Sequence, residues 1–158
     1  MPTHIEKRRM PYTAEQMYAL IEDVEAYPEF LPWCAGCRIR KDARGPDGKG
    51  VVDADLIISF KVFRERFGSR VSFDPEARTI DVSYIDGPFK YLLNNWKFTP
   101  DGESCIVDFH VDFEFKSRTL QAIIGVVFGE AMQRIVRAFE RRADALYTDQ
   151  KAVSQQQI

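Results

Sequence analysis

The chain has 158 residues, 45% of them hydrophobic and 29% charged, a balance that suits one folded domain and excludes a disordered polar segment. Its formal net charge of -2 gives no overall field toward nucleic acid or an acidic membrane, and no DNA partner is expected. Three cysteines, an odd number, make no disulfide framework in a chain of this length.

Met1 to Tyr12 hold no apolar core of signal-peptide length, and no stretch reaches the ~18 uninterrupted apolar residues of a membrane span. A cytoplasmic setting is the expectation, with a peripheral place at the inner membrane as its variant. Thr3 to Met10 alternate loosely and predict a short strand. Thr13, with Gln16 three residues on, matches a capping box. Met17, Leu20, Ile21 and Val24 follow at helical spacing, so a helix is predicted over Thr13 to Glu25. Pro28 and Pro32 leave room for one short turn around Phe30.

From Cys37 to Phe115 the period is two. Strands are predicted over Arg38 to Asp42, Val51 to Phe60, Arg64 to Phe73, Thr79 to Asp86, Tyr91 to Thr99 and Cys105 to Phe115. The turns Gly45 to Gly50, Asp74 to Arg78, Gly87-Pro88 and Pro100 to Glu103 separate them. In the last strand Cys105, Val107, Phe109, Val111, Phe113 and Phe115 face one way and Asp108, His110, Asp112 and Glu114 the other. That is a strand with one wet face.

Beyond Ser117 the period returns to ~3.6. Leu120, Ile124, Phe128, Met132, Ile135, Phe139, Ala143 and Leu146 make one stripe. A meander of six strands, with the first strand added, needs that helix over its concave face, because nothing else in the chain can bury it. The expected fold class is α+β: about seven antiparallel strands curved around a long C-terminal helix. Residues 1–148 make one domain, and 149–158 read as a polar, disordered tail.

Cys34-Ala35-Gly36-Cys37 is a C-x-x-C. A redox or zinc role needs a helix after a strand or a second ligand pair, and neither is evident. Asp108, His110, Asp112 and Glu114 read as a solvated face rather than a metal patch, so no metal is expected. Gly125 and Gly129 form a GxxxG, read as a close approach to the sheet or a local bend. Arg134, Arg137, Arg141 and Arg142 cluster late in the helix. Solvated pairs are the plain reading; a ribosomal or anionic-surface contact through Arg134, Arg137 and Arg141 is the alternative. No nucleophile, base and orienting group converge, so an enzyme is not expected.

Several motifs carry a family likeness. Tyr12 to Met17, Val24 to Cys34 with its Tyr27-Pro28-Glu29-Phe30-Leu31-Pro32-Trp33-Cys34 run, Asp86 to Phe89, Trp96 to Phe98 and Phe113 to Phe115 occur in that order. The chain resembles the coenzyme Q-binding START-domain family, which also contains the ribosome-association toxin RatA and is related to polyketide cyclases and the birch-pollen-allergen fold. The likeness spans Thr3 to Tyr147, and Leu93-Asn94-Asn95 departs from its pattern. It implies a helix-grip fold with a hydrophobic cavity between sheet and C-terminal helix.

The 12 Phe, 6 Tyr and 2 Trp fit such a cavity. Its rim is expected at Phe30, Leu31 and Trp33. The sheet is expected to add Phe73, Tyr84, Phe89, Trp96, Phe109, Val111 and Phe113, and the helix Ile124, Phe128 and Met132. The resemblance implies ubiquinone or a similar isoprenoid lipid as bound ligand and no required cofactor; the apolar, Pro-bracketed rim at Tyr27 to Trp33 is expected to make transient contact with a membrane surface. The expected function is a non-enzymatic quinone carrier or chaperone supporting respiration. The alternative is a toxin-like protein that binds the large ribosomal subunit.

Overall fold

The computed structural model describes residues 3–60 and 63–156, with side chains as far as residue 148. Strand β1 (Thr3–Met10) leads to helix α1 (Ala14–Glu22), a 3-10 turn (Val24–Ala26) and the one-turn helix α2 (Tyr27–Phe30). Six strands follow: β2 (Cys34–Asp42), β3 (Gly50–Phe60), β4 (Phe63–Asp74), β5 (Thr79–Asp86), β6 (Phe89–Asp101) and β7 (Ser104–Phe115). Helix α3 (Arg118–Gln156) completes the order, its backbone passing through most of the polar segment beyond Leu146.

The sheet has the order β1-β7-β6-β5-β4-β3-β2 and is antiparallel throughout. Strands β2 to β7 form the expected meander. Strand β1 pairs with β7, from Thr3 opposite Asp112 to Met10 opposite Cys105, so the first and last strands are neighbours. The curved sheet wraps α3, a helix-grip arrangement. Phe113 of β7 meets Phe128 of α3 at 5.6 Å between ring centroids, so the alternating strand and the helical stripe face each other.

The capping box at Thr13 is formed. The Gln16 amide donates to Thr13 Oγ1 at 3.1 Å, and the Thr13 amide donates to Gln16 Oε1 at 2.9 Å. Helix α1 stops at Glu22 rather than Glu25, because Asp23 (φ -80°, ψ 70°) leaves the helical region. The chain then reaches α2, where Pro28 sits in the first turn and its missing N–H is not needed. Strand β2 begins at Cys34 rather than Arg38. Register shifts between Cys34 and Gly36 and between Ile39 and Lys41 break its alternation, which hid its start.

The close-approach reading of Gly125 and Gly129 does not hold. Both are exposed, and a Cβ on either would meet nothing within 4 Å.

On the outer face of the sheet, Asp55 is only 3% exposed and lies under three guanidinium groups. Arg40 binds it most closely, with Arg38 at 3.0 Å and Arg66 at 2.8 Å, and Arg40 and Arg66 also hold Asp86 at 3.1 Å. The Arg40 hydrogen bond leads in holding the Asp55 carboxyl down to about 2. That is below the ordinary carboxylate value of ~3.9, so this contribution is full above about pH 4 and lost as pH falls through about 2. Urea titrations at pH 5 and pH 2.5 should therefore find a smaller acid-induced loss of stability in Asp55→Asn than in the parent. Equal losses in both would remove Asp55 from the account of acid unfolding.

Candidate functional site

Between sheet and α3 the side chains do not fill the space. Two apolar chambers of about 280 Å³ and 200 Å³ share seven lining residues, among them Trp33, Phe67, Val111 and Met132, and so lie side by side against common walls. The larger chamber lies over the middle of the sheet, bounded by α1 at Ile21 and by α3 at Met132, Ile135 and Phe139. The smaller runs toward the start of α3. It is bounded deep inside by the buried Phe89, Phe113 and Phe115 and farther out by the half-buried Trp33, Phe60, Phe63 and Ile123. Those half-buried residues mark the mouth.

Apolar cavities cost roughly 24 cal/mol per Å³ in lost packing. A void the size of the larger chamber thus forgoes several kcal/mol of packing.

The residues expected in the cavity divide by position. Leu31, Trp96 and Phe109 line the larger chamber; Phe89, Phe113 and Ile124 line the smaller; Trp33, Val111 and Met132 line both. The other four lie elsewhere. Phe73 is buried in the cluster beneath α1, with the Arg44 guanidinium 5.2 Å from its ring centroid. Tyr84 packs edge-on against Phe89 at 5.6 Å and accepts the Phe89 amide. Phe128 fills the space between Phe113 and His4. Phe30 faces outward into a separate cleft while its ring meets Phe139 at 5.4 Å.

Ile58, Phe67, Leu92, Ile135 and Phe139 also line the chambers but were not among the expected residues. Helical spacing from Met132, and strand parity with Val52 in β3, Phe73 in β4 and Trp96 in β6, were the signals that could have found them.

Asn94 reaches the larger chamber with hydrogen-bonding capacity to spare. Asn94 sits on β6 between the inward-facing Leu92 and Trp96, opposite Val111 of β7. Its Oδ1 accepts the Trp96 indole N–H at 2.8 Å, and its Nδ2 donates to the His110 carbonyl at 2.9 Å. Because an indole only donates and a carbonyl only accepts, the amide orientation is fixed, leaving one N–H and one lone pair. Ser69, 1% exposed, lines the same chamber and donates to the Ala54 carbonyl at 3.4 Å. An amide at an inward position between two apolar ones was the sequence signal for this seat.

Trp33 adopts φ 63°, an uncommon region for a bulky residue. The Ser59 amide donating to its carbonyl at 2.9 Å, and its indole edge-on to Phe60 at 5.6 Å, hold it at the mouth.

Cys34 lines the larger chamber. Burial pushes the Cys37 thiol up to about 11 and raises that of Cys34 as well, the opposite of the thiolate that redox chemistry uses. The carboxylates on the wet face of β7 meet cross-strand partners: Lys7 for Asp108, Lys90 for Glu114, and Thr3 and Tyr91 for Asp112.

Arg134, Arg137 and Arg141 do come together, and with an unexpected neighbour. They form one wall of an outer cleft of about 500 Å³ whose other wall is Pro28 to Pro32. Leu31 and Pro32 also line the larger chamber, so the cleft and the apolar volume are separated by those two residues. Arg134 binds Glu130 at 2.8 Å, and Arg142 binds Glu29 at 2.9 Å while lying over the Phe30 ring. Arg137 and Arg141 have no ion-pair partner among the described residues. No helix among the described residues is long and apolar enough to cross a membrane.

Residues 10–140 match the family described as polyketide cyclase / dehydrase and lipid transport. The chain is 38% identical over 149 residues to the ribosome association toxin RatA of Escherichia coli, covering 94% of this chain and 90% of that one. It is 32% identical over 150 residues to the mitochondrial coenzyme Q-binding protein COQ10 homolog B of Xenopus laevis, covering 92% of this chain and 59% of that protein. Among solved structures, an 18 kDa protein of Caulobacter crescentus superposes with a TM-score of 0.76 at 39% identity, covering 94% of this chain and 99% of that one.

Proposed function

The chain belongs to the polyketide cyclase / dehydrase and lipid transport family, and we propose that its two chambers hold a lipophilic quinone of the ubiquinone type, carried or sheltered without chemical turnover. The observation that carries this reading is a pair of adjoining apolar chambers with a polar amide, Asn94, in the wall of the larger. A quinone ring is flat, apolar on its faces and bears carbonyl acceptors at its edge. The free N–H of Asn94 suits such a carbonyl, and the smaller chamber suits the isoprenoid tail leading to the mouth.

The sizes agree. An apolar cavity of ~150 Å³ accepts benzene, and each chamber exceeds that. Each five-carbon tail unit moved from water into the apolar volume gains about 4 kcal/mol, from ~0.8 kcal/mol per methylene. Delivery of such a ligand would support respiratory electron transport.

A second reading has its own support: the Escherichia coli relative is named for ribosome association. Under it the chain binds the large ribosomal subunit through Arg134, Arg137 and Arg141. One chain could do both.

Solvent extraction of the purified protein followed by mass spectrometry tests the first reading. A polyprenyl quinone is expected in the extract. Asn94→Leu, similar in volume but without the amide, should retain roughly five- to tenfold less, the worth of one hydrogen bond of ~1–1.5 kcal/mol. A quinone-free extract, together with no thermal shift on adding a short-tailed ubiquinone, would sink the proposal.

A further inference from the structure

Helix α3 has an exposed side that meets the cavity only at its edge, at Ile123. Val126 is 86% exposed, the highest value among the large apolar residues left in solvent. Val126 and Arg137 are eleven residues apart, about three turns at ~3.6 residues per turn, and so lie on the same side of the helix. Ile123 and Arg134, and Glu130 and Arg141, repeat that spacing. The stripe is apolar toward the N-terminal end, with Ile123, Val126 and the half-buried Val127, and cationic toward the C-terminal end.

Two further observations place this stripe beside the mouth. Ile123 itself lines the smaller chamber with Trp33, Phe60 and Phe63. The arginines face Pro28 to Pro32, which lead directly into Trp33. Across the patch four arginines, including Arg142, stand against two carboxylates, Glu29 and Glu130. Arg137 and Arg141 carry the surplus charge. The patch is therefore cationic on a chain whose formal net charge is -2.

We propose that this face docks on the surface of an anionic bilayer. Arg134, Arg137 and Arg141 meet lipid phosphates, while Val126 and Ile123 reach the boundary between headgroups and acyl chains. The mouth then opens into lipid instead of water, and an apolar ligand passes between bilayer and chambers without crossing solvent. Exposed apolar residues beside unpaired arginines match that boundary, where basic and apolar side chains are both favoured. A nucleic-acid backbone would satisfy the arginines but leave Val126 in water.

The proposal deepens the quinone reading and rests on it only for what passes through the mouth. The test is co-sedimentation of the full chain with vesicles of phosphatidylcholine alone and of phosphatidylcholine with phosphatidylglycerol. Binding is expected to the mixed vesicles only. Arg137→Glu with Arg141→Glu should weaken it roughly tenfold or more, and Val126→Asp should weaken it several-fold, with thermal unfolding of both variants near that of the parent.

Failure of the parent to bind mixed vesicles would overturn the proposal, as would binding unaffected by either change. So would arginine-dependent binding to ribosomal RNA that leaves vesicle binding intact. Quinone content of the same preparations separates the two readings. A quinone-free protein that still binds vesicles sinks the carrier reading alone, and a quinone-loaded one that ignores them sinks the docking face alone.

Discussion

Val111→Trp is expected to abolish quinone retention while the fold survives. Val111 is 8% exposed, lies opposite Asn94 across the β6–β7 pair and lines both chambers, so an indole there takes up space where the two adjoin. The added ring replaces ligand volume with side-chain volume. Overpacking of this kind typically costs ~1–3 kcal/mol, less where a void receives the bulk. Extraction and mass spectrometry should find no quinone in the variant, and respiration that depends on the parent should fail with it.

Charge reversal at Arg134, Arg137 and Arg141 should leave retention by purified protein unchanged. Sedimentation of ribosomal subunits after overexpression provides the contrasting measurement. Loss of subunit association caused by the parent, relieved by the arginine changes but not by Val111→Trp, would favour the ribosomal reading. That binding should also weaken with added salt, because phosphate contacts release counterions.

The largest loss of stability is expected from Phe139→Ala. The Phe139 ring stands edge-on to Tyr27 at 5.6 Å, Phe30 at 5.4 Å and Trp96 at 5.4 Å, joining α3 to α2 and to the sheet. Tyr27 is itself anchored, its hydroxyl donating to the Ile21 carbonyl at the end of α1. Removing a buried Phe costs ~3–5 kcal/mol, which in a domain of this size lowers the melting temperature by on the order of 10 °C. Phe139 also lines the larger chamber, so the new void joins it and a bound quinone should recover part of the loss. Denaturant unfolding with and without ligand measures both effects. A cost under 1 kcal/mol would mean that the three ring contacts do not hold α2 in place.

Local rules in the sequence determined most of the fold. The capping box at Thr13 forms because both partners lie within one turn. Strands β3 to β7 follow alternation with turn residues between them, and α3 follows its stripe of apolar positions. The side of β7 that faces the helix was legible from alternation alone, because a half-buried strand must put its apolar residues on one face. Where local rules are interrupted, periodicity misplaces the boundary: bulges hide the first four residues of β2, and Asp23 ends α1 early.

Tertiary structure decided what periodicity cannot encode. Strand β1 pairs with β7 across the whole length of the meander, a contact that no local spacing specifies. An inward-facing Phe reads the same whether it fills the core, as Phe73 does, or borders a void, as Phe113 does, because alternation fixes a side chain's direction but not the volume left in front of it. The Asn94 amide took one orientation only when Trp96 and the His110 carbonyl fixed it. The arginines of α3 and the Pro28 to Pro32 segment, more than a hundred residues apart in the chain, became two walls of one cleft only when α3 crossed the sheet.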